Sequence, residues 1–104
     1  MRIIVLFNLK PGVSAKDYQD WAKTRDMPSV RAMTSIDDFR IFQITGLLGS
    51  DAKAPYQYAE VIDANDMDIF FKEAGSSPMT EVAAEFQTFA DNPVFLTTQE
   101  LSAL

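Results

Sequence analysis

At 104 residues the chain is sized for one domain spanning positions 1–104. Hydrophobic residues make up 47% and include 8 Phe, so a core can form without covalent staples. A net charge of −6 leaves no basic face for nucleic acid, and the absence of Cys and His removes disulfides, thiolate chemistry and the usual neutral-pH acid/base. No apolar run approaches the ~20 residues of a membrane span, so the expected setting is the cytoplasm. Any proton transfer falls to Asp, Glu, Tyr or Lys with a shifted pKa, or to an ordered water.

Ile3 to Leu9 is apolar except for Asn8, is rich in β-branched residues and ends at Pro11-Gly12, which predicts a strand covered on both faces. Ser14 opens a helix, with Asp17 three residues on as an imperfect capping box. Tyr18, Trp21, Ala22 and Arg25 then share one helical face, and Pro28 is expected to stop the helix near Asp26 or Met27 and open a second piece that buries Val30 and Met33.

Ser35 to Thr45 reads as a second strand and Tyr56 to Ile62 as a third, joined by a loop in which Leu47 and Leu48 are expected to tuck under the fold or act as a flap. Antiparallel pairing through that loop would set Arg40 near Glu60 and Phe42 near Tyr58. Asn65 is the expected cap of an amphipathic helix carrying Met67, Phe70, Phe71 and Ala74. Gly75 to Pro78 interrupts it, with Ser77 as the next cap, and Met79, Val82, Ala83, Phe86 and Ala90 form a further stripe. Asp91-Asn92-Pro93 reads as a turn, Val94 to Thr98 as a fourth strand and Leu101 to Leu104 as a short tail.

The order β-α-β-β-α-β is that of the ferredoxin-like α+β fold with a four-stranded antiparallel sheet. Helices can cover only one face of such a sheet, yet the first strand is apolar on both. A homodimer packed sheet on sheet, a dimeric α+β barrel, is therefore expected.

The segments IVLFNLKPG, WAKTRDMPSVR, SIDDFRIFQITGLLGS, YQYAEVID and FADNPVFL together resemble the RedY-like family of prodiginine pigment biosynthesis, over nearly the whole chain. That resemblance implies a dimer with a role in making the methoxy-bipyrrole carbaldehyde half of the pigment. It implies a small aromatic or pyrrole-type intermediate as ligand, with other pathway enzymes as further partners. It transfers no catalytic residues. Cyclase relatives of the same architecture use a pocket His, which this chain lacks. A non-catalytic carrier and a cofactor-free oxygenase or cyclase are the alternatives.

Candidate chemistry gathers in two groups. In the first, Trp21 walls a pocket, Asp26 acts as base or hydrogen-bond acceptor, and Arg25 or Arg31 orients an oxyanion or carbonyl. The competing account is a core Trp beside a helix-end salt bridge, with Asp26 satisfying free N–H groups. In the second, Arg40, Tyr58 and Glu60 share one sheet face, either as a coupled buried site or as an ion pair setting dimer register. Asp26, Glu60 and Tyr58 are the candidate catalytic groups; Trp21, Arg25, Arg31, Arg40, Asn8 and Phe42 are the candidate ligand contacts. The acidic pairs at Asp37-Asp38 and at Asp63, Asp66 and Asp68 have no metal-loop spacing, and no phosphate loop or dinucleotide fingerprint occurs, so neither metal nor nucleotide cofactor is expected.

Overall fold

The apolar runs assemble around the first strand. In the computed structural model, which describes residues 1–103, β1 (Arg2–Leu9) lies between β3 (Tyr58–Ala64) and β4 (Ala90–Thr97), and β2 (Ile36–Gln43) pairs with the far side of β3. Every pairing is antiparallel, in the order β2-β3-β1-β4. The helices α1 (Ala15–Trp21), α2 (Met27–Arg31), α3 (Met67–Ala74) and α4 (Met79–Phe89) complete the chain. Of the expected tail, Leu104 lies outside the described residues, and Leu101 is exposed.

Alternation along the strands sorts side chains between two faces. Val5 pairs with Glu60 and Phe95, and Ile41 with Glu60, so these point to the helix-covered side, as do Ile3, Phe7, Phe39, Tyr58 and Ile62. The other face carries Ile4, Leu6, Arg40, Phe42, Ala59, Val61, Val94 and Leu96. Within one chain Phe42 is 45% exposed and Leu96 39%.

The expected β2–β3 register is off by one. Arg40 pairs with Val61 and Phe42 with Ala59, not with Glu60 and Tyr58. Because side chains alternate, that single step moves Arg40 and Phe42 to the opposite face from both. The Asp91-Asn92-Pro93 turn is instead a bulge inside β4: the register shifts between Leu6 and Asn8, and Asn92 adopts φ 45°, a conformation Asn tolerates better than most residues.

Ser14 caps α1 as expected, accepting from the Asp17 N–H at 3.0 Å. Asp66, not Asn65, caps α3; Asn65 donates to the Thr34 carbonyl and to Asp37. Phe71 turns out of the α3 stripe and is exposed. Pro78 itself holds the cap position of α4, without a side-chain cap bond. Leu47 and Leu48 do not tuck under: both are exposed, and Leu47 forms only a local bridge to Ser50.

The helix does not stop ahead of Pro28. Between α1 and α2 the chain makes one wide π-helical turn, Ala22–Asp26, in which the Met27 N–H reaches back five residues to the Ala22 carbonyl. In a straight α-helix the Pro28 ring would meet the Thr24 carbonyl, and the wider turn relieves that approach. The Ser29 hydroxyl takes up the Arg25 carbonyl at 2.6 Å.

Candidate functional site: a buried carboxyl pair

The wide turn decides which side chain enters the core. An α-helix advances about 100° per residue, so a regular continuation would keep Arg25 within about 20° of Tyr18 and leave Asp26 about 80° away. At roughly 4.4 residues per turn across Ala22–Asp26, Asp26 comes to within about 10° of Tyr18 and Arg25 swings out. The burial follows that geometry: Tyr18, Ala22 and Asp26 are buried, while Arg25 is partly exposed.

Asp26 is 5% exposed and makes no capping hydrogen bond, which removes the account of it as a helix-end acceptor. Across from it, Glu60 on β3 is also 5% exposed, and its Oε1 has no hydrogen-bond partner among the described residues. Burial pushes the Asp26 carboxyl up to about 7. Burial, and then the negative charge of Asp26, push Glu60 up to about 8. Burial and the nearby like charge therefore both favour the protonated form of Glu60, and burial favours that of Asp26.

Both carboxyls line an apolar cavity of about 210 Å³ between sheet and helices, walled by Val30, Phe39, Ile62, Phe70, Val82 and Phe86. Met79, Gln87 and Phe95 also line it, and Phe95 is 58% exposed. Among the described residues no group of three or more Asp, Glu, His or Cys is placed to hold a metal ion.

The remaining candidates do not join this pair. Trp21 donates its indole N–H to Glu85 at 2.8 Å, stacks on Phe86 and packs at a tilt against Phe89, outside the cavity. Arg25 pairs with Glu85 at 3.0 Å and Glu81 at 3.5 Å on α4. Arg31 donates twice to the Phe39 carbonyl, at 3.1 and 2.7 Å. Arg40 pairs with Asp38 on the open face, its guanidinium 5.6 Å from the Phe42 ring centre. Asn8 holds the Pro55 carbonyl at 3.1 Å and so anchors the β2–β3 loop. Tyr58 does share the face of Glu60, but its hydroxyl accepts from Gln19 at 3.0 Å and lines a separate cleft of about 130 Å³ with Gln19, Lys23 and Gln43.

Tyr18, which the sequence assigns to the core, does lie there. It is fully buried, and its hydroxyl has no hydrogen-bond partner among the described residues. Its pKa is raised, first by burial and then by Glu60, Asp26 and Tyr58. For Asp26 the available signal was the spacing Tyr18, Ala22, Asp26 ahead of Pro28, which a wide turn brings onto one face.

A four-stranded antiparallel sheet with its helices on one side, enclosing an acid pair, defines a ferredoxin-like α+β protein with an internal apolar pocket. The chain belongs to the family of REDY-like protein HapK, whose model matches residues 1–101. Among solved structures it is similar to HapK from Hahella chejuensis, with 20% identity and a TM-score of 0.72, over 100% of this chain and 98% of that one. A hydroxynitrile lyase from Passiflora edulis shares 17% identity at a TM-score of 0.77, over 97% and 95% of the two chains. A dimeric ferredoxin-like protein from Thermobifida fusca shares 19% at 0.71, over 91% and 85%. No curated protein sequence matches the chain.

Proposed function

We propose that this protein binds an apolar aromatic intermediate of the bipyrrole branch of prodiginine biosynthesis in the Asp26–Glu60 cavity and moves a proton on it, without metal or nucleotide. The observation that carries the reading is the buried carboxyl pair, with no cation acting on it among the described residues, in a largely apolar pocket. Such groups cost stability and are retained where a proton must be delivered or taken near neutral pH. Membership of the HapK family supports the biosynthetic setting. Asp26 and Glu60 are the acid and base; the hydrophobic wall fixes the ring system by shape.

The working unit in this reading is a cytoplasmic homodimer joined through the open sheet face. Phe42, Val94 and Leu96 form an exposed apolar surface there, with Ile4, Leu6 and Val61 half-buried between them. Monomers rarely leave such a patch to water. Titrating the purified dimer with 4-methoxy-2,2'-bipyrrole-5-carbaldehyde and its biosynthetic precursors, followed by ligand absorbance, should give saturable binding at one ligand per chain and turnover of one precursor. Saturable binding without turnover would replace the enzyme reading with that of a carrier. A chain that stays monomeric at micromolar concentration and shifts no spectrum would end the proposal.

A further inference from the structure

The cavity has a closed end and a mouth. Asp26 and Glu60 line the closed end, each 5% exposed. Phe95 and Gln87 line the same cavity, and both are exposed. Glu60, Val5 and Phe95 stand in one row across β3, β1 and β4, on the helix-covered face. A cavity that touches both Glu60 and Phe95 therefore spans two strand spacings, about 10 Å. β4 is an edge strand, so the mouth opens where the sheet ends.

Phe95 meets Phe86 edge-on, with ring centres 6.5 Å apart and planes at 69°, yet it stays 58% exposed. It points to the helix side, so a second copy packed on the open sheet face would leave it bare. A planar ring laid in the cavity would cover it. Gln87 lies one turn beyond Ala83 on α4 and continues the cavity-facing row of Met79 and Ala83. Among the described lining residues it is the single uncharged side chain able to hydrogen-bond, and its amide both donates and accepts. The span adds a length requirement. One five-membered ring set against the carboxyls leaves the mouth empty, whereas two directly linked rings reach it.

We propose that Phe95 and Gln87 form an outer subsite that selects two-ring ligands: with the near ring at Asp26 and Glu60, the far ring packs against Phe95 and donates its ring N–H to Gln87 Oε1. Neither residue touches the reacting end; together they set affinity and length preference. This inference rests on the cavity being the ligand site and adds the class of ligand it takes, a planar two-ring heteroaromatic with a free N–H on the outer ring.

The test compares a long and a short probe. 4-Methoxy-2,2'-bipyrrole-5-carbaldehyde and the one-ring pyrrole-2-carbaldehyde are each titrated by NMR into the wild type, Phe95→Ala and Gln87→Leu, with the amide spectrum confirming the native fold. The wild type should hold the two-ring probe at least about tenfold tighter than the one-ring probe. Phe95→Ala should weaken the two-ring probe by about tenfold and Gln87→Leu by about fivefold, with the one-ring affinity unmoved in both. A merely structural role would weaken both probes together, and that result would overturn the proposal. Equal wild-type affinity for the two probes would also overturn it, because the far ring would then lie outside any contact. A wild type that binds neither probe would instead end the functional reading of the cavity, and the outer subsite with it.

Discussion

Arg25 and Asp26 are neighbours in sequence and opposites in environment. Arg25 lies partly in water against two glutamates of α4, its charge matched and its geometry that of an ordinary helix-to-helix ion pair. Asp26, one residue on, is sealed among apolar groups with a second carboxyl for company. The wide turn ahead of Pro28 produces this division by rotating one side chain in as it rotates the other out. Charge alone marks neither residue as functional. What separates them is whether the protein supplies a partner, and only the buried group is left to find its partner in a ligand or a proton.

The comparison breaks first at Glu60, where the largest effect is expected. A folded-state pKa raised from 4.5 to about 8 means that the native protein binds this proton more tightly than the unfolded chain does. The associated stability is fully present below pH 4.5 and is lost as pH rises toward 8, by roughly 5 kcal/mol if the whole shift is expressed. Glu60→Gln cannot ionise. Its urea midpoint should therefore fall less between those pH values than that of the wild type, the remaining fall being that of the Asp26 carboxyl. Parallel profiles for the two proteins would mean that Glu60 ionises as easily folded as unfolded.

Asp26→Asn keeps the shape of the side chain and removes its proton chemistry. Turnover of the bipyrrole precursor should fall by about a hundredfold or more, the scale of a lost general acid or base, with ligand affinity retained. Because the mutation also removes a negative charge beside Glu60, the carboxyl of Glu60 should titrate lower than in the wild type. Undiminished turnover would leave Asp26 a buried structural acid.

Much of the fold was legible because it depends on patterns of period two and 3.6. The doubly apolar β1, the Ser14 cap and the β-α-β-β-α-β order are local or compositional signals. The site was harder to read because it depends on single-residue steps. One step in the β2–β3 register separates Arg40 from Glu60, and nothing in the loop of residues 44–57 announces that register. The π turn exchanges Arg25 for Asp26, and a helical wheel drawn at 3.6 residues per turn places the wrong one inside. Asp26 and Glu60 were each singled out by type. That both line one cavity required the backbone.

The smallest effect sharpens the comparison from the exposed side. Glu85 accepts from both Arg25 and the Trp21 indole, so Arg25→Ala leaves Glu85 with one of its donors and the α1–α4 contact with its aromatic packing. Solvent already screens the pair, so thermal unfolding should shift down by no more than about 4 °C. The shift should shrink further in high salt, as it does for exposed ion pairs. The pH dependence attributed to Asp26 and Glu60 should survive unchanged, because Arg25 does not act on either group. A variant that lost ligand turnover or altered the carboxyl titration would show that Arg25 reaches the cavity after all, and that the two neighbours work as one unit.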